Sequence, residues 1–394
     1  MPDSSFIQKH YLLSKVIGTF LAFGFALIYS RELGVENRSI VAYIFVLSSL
    51  IWIGLTSGTT LTLRKLGVTS QHQITASFFS LILVESIIGI ILFISGLMVF
   101  STYKTQIPYP IIIVGVAYFL FSGLAMVLIE LLIACLKYSW GGYLELSAVL
   151  FQYVLYFLSL NLGIFSTAVS LLASFTLSYM IIATIIIPLL GTNLRIKFEF
   201  KSPWGFWKLT KGSHSLGISL GMMDRVDKML VAFFFPLGAL AQYAVMSSLI
   251  SFFRFVPDAL SKFLISSRLH YWRDILKKPL LWILILIILS ITAIFSTQFL
   301  ILNLLGRDWL LPWTVTLAFI LQELARGVFQ LTGNYKISVG LARSSHNASL
   351  SLVISAVPLS ILFSTHLGLI GIPLGFVASY AGILFYFLWR KSNA

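Results

Sequence analysis

The sequence predicts an all-α integral membrane protein with about twelve transmembrane helices in two six-helix lobes around a central cavity, N-in and C-in. Three observations carry that expectation. Of 394 residues, 58% are hydrophobic and only 10% charged, more apolar surface than a soluble chain of this length needs. The apolar residues come in continuous runs of about 20 or more, long enough to cross the hydrocarbon core, and they do not alternate as barrel strands would. The basic residues, finally, are spread unevenly over the segments between the runs.

In chain order the runs fall at 11–30, 40–63, 74–100, 110–136, 142–163, 165–190, 212–235, 239–266, 279–304, 311–332, 347–366 and 368–389. The first is longer than a signal-peptide core and has no small-residue cleavage pattern after it, so it reads as a retained helix. With the N-terminus inside, 18 of the 27 Lys and Arg fall on cytoplasmic segments and 4 outside (Arg31, Arg38, Lys104 and Arg307). That bias sets both termini inside. It also accounts for most of the net charge of +14 without a nucleic-acid partner. The single cysteine, Cys135, lies in an apolar run and reads as core packing.

Residues 191–211 divide the chain into an N-terminal lobe, 1–190, and a C-terminal lobe, 212–394. In this linker Leu194–Lys201 alternates apolar and charged residues, then Trp204 and Trp207 follow, which suits a segment lying on the inner membrane surface. The lobes carry a trace of repetition. Val46-Leu-Ser-Ser-Leu-Ile51 recurs as Val245-Met-Ser-Ser-Leu-Ile250, with Ala42 matched by Ala241 in the same register. An offset near half the chain, without inversion, is the arrangement of two parallel transporter lobes.

Five bases, Arg225, Lys228, Arg254, Lys262 and Arg326, fall inside the spans. Charges at membrane depth are costly and mark a cavity or a partner helix. On a helix turning 100° per residue, Gly217, Gly221, Asp224 and Lys228 share one face. Span eight places Arg254, Asp258 and Lys262 at i, i+4 and i+8, with Ser247 and Ser251 on the same side and Pro257 permitting a kink. On span ten Glu323, Arg326, Gln330 and Asn334 share a face with Thr316, while spans three and four contribute Glu85 and Glu130. A rise of about 1.5 Å per residue puts Asp224, Arg254, Glu323 and Glu85 near the bilayer midplane, where secondary transporters bind substrate. The plainer alternative is that Arg254–Asp258 and Glu323–Arg326 pair within their own helices and do nothing else.

Signs of catalysis are weak. The six histidines sit at or near span ends without metal-ligand spacing, so no metal site is expected. No Walker-type phosphate loop is present, and no cofactor is implied. Glu32 and Glu36, in the first outer loop, read as solvated acids. Short outer loops argue against a membrane polymerase or a lipid-linked glycosyltransferase.

At Ser30-Arg-Glu-Leu-Gly-Val-Glu-Asn-Arg-Ser39 the sequence resembles the bacterial polysaccharide-unit (O-antigen type) flippases of the multidrug, oligosaccharidyl-lipid and polysaccharide exporter superfamily. Their pattern ends span one in an S-R-x-L-G turn and closes span two with small residues and a basic end, here Gly54, Gly58 and Arg64-Lys65. Val226-Asp-Lys-Met-Leu-Val231, followed by Tyr243, is similar to their second-half hallmark. The chain departs from the pattern at Asn37-Arg38-Ser39, where a glycine usually follows the aromatic after the turn.

The resemblance implies two lobes that open alternately to either side of the bacterial cytoplasmic membrane. The cargo it implies is an undecaprenyl-diphosphate-linked oligosaccharide, with membrane lipids around it and polysaccharide polymerases as partners. On that reading Arg254, Lys228, Arg225 and Arg326 hold the diphosphate, and Ser247, Ser251, Gln330 and Asn334 face the glycan. Asp224, Asp258, Glu323 and Glu85 balance charge or bind a coupling cation. A cation-coupled multidrug exporter of the same fold is the first alternative. An integral-membrane acyltransferase is the second, and it would need a histidine or serine–acid site that the sequence does not place.

Overall fold

The computed structural model describes residues 4–66, 71–134, 138–163, 165–191, 221–223, 225–250, 279–338 and 342–392. Among them every regular element is helical. In chain order these are α1 (Ser4–Leu66), α2 (Gln71–Tyr103), α3 (Tyr109–Ala134), α4 (Tyr138–Leu162), α5 (Thr167–Gly191), α6 (Val226–Phe234), α7 (Leu237–Ile250), α8 (Pro279–Leu304), α9 (Trp313–Ser338), α10 (Ala342–Leu367) and α11 (Gly371–Ser392). The chain forms two compact units, Met1–Arg225 and Val226–Ala394.

Among the described residues six helical stretches are long and apolar enough to cross a membrane, so this is a multi-pass membrane protein. Two of the stretches, Val16–Thr56 with 41 residues and Asn347–Phe385 with 39, are about twice the length one crossing needs. Each is a hairpin.

In α1 the reversal is at Gly34, whose φ of 69° and ψ of 173° lie outside the helical region and favour a residue without Cβ. Phe25 and Phe45 stand on either side of it. Their rings lie 5.9 Å and 4.9 Å from the ring of Phe175 on α5. In a straight helix these two positions would be about 30 Å apart, so the arms fold back on each other. The glycine of the Ser30-Arg-Glu-Leu-Gly34 turn is the residue that turns the chain.

The returning arm is fixed by Trp52. Its indole Nε1 donates to the Phe119 carbonyl of α3 at 2.7 Å and its ring stacks on Phe119 at 5.2 Å. The close approach depends on Gly123, where an added Cβ would fall 1.7 Å from the indole. Tyr43, one face further along, stacks on Phe100 at 3.8 Å and donates to the Gly96 carbonyl of α2 at 2.9 Å. On α2 itself Leu83, Ile87, Ile91 and Met98 are exposed at near-helical spacing, as the lipid-facing side of a membrane helix should be.

In the second unit α6 and α7 are separated at Phe235-Pro236, where proline supplies no N–H to continue the ladder and Ala239 N donates to the Pro236 carbonyl at 3.0 Å to start the next helix. The break stands about as far before Val245 as Gly34 stands before Val46. Burial follows the repeat as well: Ala42, Val46, Leu47 and Ser48 are buried, and so are Ala241, Val245, Met246 and Ser247.

α10 and α11 reverse through the short turn Gly368–Ile370 and pack through Gly371-Ile-Pro-Leu-Gly375, a glycine pair spaced for close helix contact. A Cβ on Gly375 would lie 2.4 Å from the Ser360 backbone, and one on Gly371 2.3 Å from that of Phe363. Ser360 Oγ donates to the Ile372 carbonyl across the same contact at 3.0 Å.

Two sequence expectations change. Residues 217–228 are not one uninterrupted helix in their described part, because Arg225 N donates to the Met222 carbonyl at 2.9 Å in a turn and α6 starts only at Val226. The turn disrupts the single face proposed for Gly221 and Lys228. Arg38, assigned to an outer loop, is instead 3% exposed within the returning arm of α1, since Gly34 turns the chain so tightly that the helix resumes before it. The alternating segment Leu194–Lys201, expected on the inner membrane surface, lies outside the described residues.

The α10–α11 contact makes a sharp prediction. Gly375→Leu should lower the detergent-solubilised unfolding temperature by several degrees, a cost of about 1–3 kcal/mol from overpacking. Gly382→Ala, where an added Cβ meets nothing within 4 Å, should leave it unchanged.

Candidate functional site

In the first unit the polar side chains gather around the returning arm of α1. Arg225, half-buried, donates from Nε to Ser49 Oγ at 2.8 Å. Beside it Ser48 Oγ and Ser122 Oγ of α3 are 3.5 Å apart. The Tyr118 hydroxyl bonds to Ser122 and lies within electrostatic reach of Arg225 and Tyr179. The rings of Tyr118 and Tyr179 are 6.2 Å apart. Tyr179 in turn bonds to Gln152 and is influenced by Glu145 of α4. The guanidinium is thus near the Ser49 and Tyr118 hydroxyls, while the amide of Gln152 and the carboxylate of Glu145 are partners of Tyr179, one ring further on. Glu85 of α2 is buried on the side away from the lipid-facing stripe.

The second unit gathers its charges around Tyr243 of α7. Asp227 is 2% exposed, and its carboxylate takes three contacts. It accepts from the Tyr243 hydroxyl at 3.3 Å and from Lys228 N at 2.7 Å, and Lys228 Nζ is 3.5 Å from Oδ1. Glu323 of α9 lies within electrostatic reach of the same tyrosine. Arg326, one turn on, is 3.7 Å from Glu323, and both are buried. The Glu323–Arg326 contact is the intrahelical pairing that the spacing allowed. Nearby, Gln298 of α8 donates to Thr316 Oγ1 at 2.7 Å, and Thr316 donates to Met246 Sδ at 3.4 Å, next to the buried Ser247.

Among the expected site residues, then, Arg225 belongs to the first unit with Glu85, while Lys228, Ser247, Glu323 and Arg326 belong to the second. Asp224, Ser251, Arg254, Asp258 and Lys262 lie outside the described residues, as do the side chains of Gln330 and Asn334. Among the described residues no three of His, Cys, Asp and Glu gather to hold a metal ion.

Sequence reasoning missed several members of these clusters. Asp227 stood in the hallmark motif, but its role as acceptor for Tyr243 needs the α6–α7 reversal to be known. Ser49, Tyr118, Ser122, Gln152 and Tyr179 are uncharged and scattered over four helices. The one available signal was Ser48-Ser49, which belongs to the repeated motif.

No protein-family model matches this chain, and no curated protein matches it in sequence. Solved structures match its fold. The lipid II flippase MurJ in an inward closed conformation aligns over 98% of this chain and 88% of its own, with a TM-score of 0.74 and 18% identity. An inward-facing multidrug resistance MATE-family transporter of the MOP superfamily aligns over 96% and 94%, with a TM-score of 0.65 and 12% identity. A MOP-superfamily transporter from Pyrococcus furiosus, described as having a binding pocket of reverse polarity, gives 98%, 95%, 0.58 and 11%. At these identities the likeness is one of fold alone, shared by this chain with the three structures.

Asp227 offers a direct test of the second cluster. Asp227→Ala leaves the buried Tyr243 hydroxyl and the Lys228 amide without their acceptor and should destabilise by about 1–3 kcal/mol. Tyr243→Phe, which removes a single 3.3 Å bond, should cost about 1 kcal/mol or less. Equal unfolding transitions for wild type and Asp227→Ala would contradict the assignment.

Proposed function

We propose that this protein is a flippase that moves an undecaprenyl-diphosphate-linked oligosaccharide across the bacterial cytoplasmic membrane by alternating access, for assembly of a surface polysaccharide such as O-antigen or capsule. The observation that carries this reading is the half-buried Arg225, which donates to Ser49 and lies within electrostatic reach of Tyr118. A guanidinium is suited to phosphate oxygens, and the hydroxyls of Ser49 and Tyr118 near it are suited to sugars. Arg254, Lys228 and Arg326 supply further positive charge toward the diphosphate, with Arg225. Ser247, Ser251, Gln330 and Asn334 face the glycan. Asp224, Asp258, Glu323 and Glu85 balance charge or take a coupling cation. Polysaccharide polymerases would receive the product on the outer face. The fold shared with a protein named as a lipid II flippase supports a lipid-linked cargo.

A cation-coupled multidrug exporter is the second reading. The buried Glu85 and Glu323 favour it, together with the fold shared with MATE transporters. Basic residues at membrane depth favour the anionic lipid, because a cationic drug would meet like charge there.

Deleting the gene separates the two. A flippase predicts loss of surface polymer with accumulation of the complete lipid-linked unit on the cytoplasmic side; unchanged surface glycan with heightened sensitivity to cationic drugs would pass the cargo to the exporter reading. Under the flippase reading Arg254→Ala should abolish export with the protein still inserted, and Arg225→Ala should cut it at least about tenfold, the worth of one charge-assisted contact. Normal export by both variants would contradict the residue assignment.

A further inference from the structure

Arg38 is a buried cation without an anion. It is 3% exposed, its Nε donates to Ser30 Oγ at 3.0 Å, and its guanidinium carbon sits 4.9 Å over the Tyr29 ring. Among the described residues its Nη1 is buried with no hydrogen-bond partner, and the hydroxyl and the ring are the partners shown for the side chain. Neither is negatively charged. Burying a guanidinium without a counter-charge is costly, and contact with an aromatic face offsets only part of that cost. The fold therefore keeps a donor aimed at an anion that the described chain does not provide.

Position narrows the choice of anion. Arg38 is four residues beyond Gly34, the reversal point between the first two crossings. A hairpin turn between membrane crossings lies at the headgroup level, where the abundant anion is a phosphate ester. Arg31, Glu32, Glu36 and Asn37 around the turn are exposed, so the turn itself lies at the surface, with Arg38 buried just behind it. The exposed Arg31 partly offsets the charge of Glu32 and Glu36 at this turn. A second unsatisfied donor lies in the same aromatic cluster: the Tyr156 hydroxyl is buried without a partner, and its ring is 5.6 Å from Phe25, which is 5.2 Å from Tyr29.

We propose that Arg38, steered by Ser30 and Tyr29, is a phosphate-binding site at the outer turn of the first unit, taking the phosphate of a lipid through Nη1. The phosphate comes either from a bilayer phospholipid or from a polyprenyl diphosphate. This assignment does not depend on the cargo proposed above.

The test uses the full-length protein in detergent, titrated separately with phosphatidylglycerol and with undecaprenyl diphosphate bearing no sugar, with bound lipid counted by native mass spectrometry. Arg38→Met should weaken one probe about tenfold, the loss of one charge-assisted contact, and Arg38→Lys should retain part of the binding. Arg38→Gly, which removes the side chain altogether, is a second loss variant that keeps the test decisive if the methionine variant misfolds; it should weaken the same probe. Loss confined to phosphatidylglycerol assigns the site to bilayer lipid, and loss confined to the diphosphate assigns it to the carrier. Wild-type affinity for both probes in Arg38→Met and Arg38→Gly would overturn the proposal.

Discussion

A polar group inside these helices is costly unless it finds a partner within the protein, because hydrocarbon offers none; among the described residues Arg38 Nη1 and the Tyr156 hydroxyl are exceptions. The rest of the structure depends on that constraint. Backbone amides satisfy it by staying helical, and hydroxyls by folding back onto their own turn, as Ser30, Thr56 and Ser174 do onto carbonyls four residues earlier. Indoles and phenols reach across to a neighbouring helix, as Trp52 does to Phe119 and Tyr43 to Gly96. Ions are the demanding case. Asp227 meets it with three contacts and Arg225 with a serine on another helix. Spending such arrangements on charge makes sense only where charge is used.

Close packing gives the ions fixed partners. Helices in lipid have little hydrophobic reason to associate, so contact rests on small residues that let backbones and large rings approach. Gly123 under Trp52, Gly96 under Leu47 and Gly375 against Ser360 are such places. The Trp52 contact holds the returning arm of α1 on α3, and that arm carries Ser48 and Ser49 toward Ser122 and Arg225. A glycine chosen for packing is thereby part of the geometry of the charged site.

Much of the fold was legible in the sequence because it is written in long runs. Apolar length set the crossings, and α2–α5 and α8–α11 lie within a few residues of the expected ranges. Gly34 was expected in a turn from the resemblance at Ser30–Gly34, and the break near Pro236 from the gap between the runs ending at 235 and starting at 239; positive φ at the glycine and the missing proline N–H account for both. The clusters were less legible. A side chain's burial depends on where a turn falls: Arg38 looked like a loop residue until the helix was seen to resume at once after Gly34. Residues 217–228 looked like one helix, since nothing in their composition announces the turn closed by Met222 and Arg225. Tyrosines and serines carry no periodic signal at all. Their meeting depends on four helices packing correctly, which no local pattern records.

The central claim is that the face carrying Ser49 and Arg225 is a hydrated surface that meets cargo. The most direct test is accessibility of a single thiol there. With Cys135→Ala removing the native cysteine, Ser49→Cys should react with a membrane-impermeant maleimide added to membranes of either orientation. Adding the lipid-linked oligosaccharide should slow that reaction. Labelling that depends on the cargo is the result the account predicts; a thiol that stays unreactive from both sides in folded, inserted protein would mean that Ser49 and Arg225 are packed interior, and the account would fail.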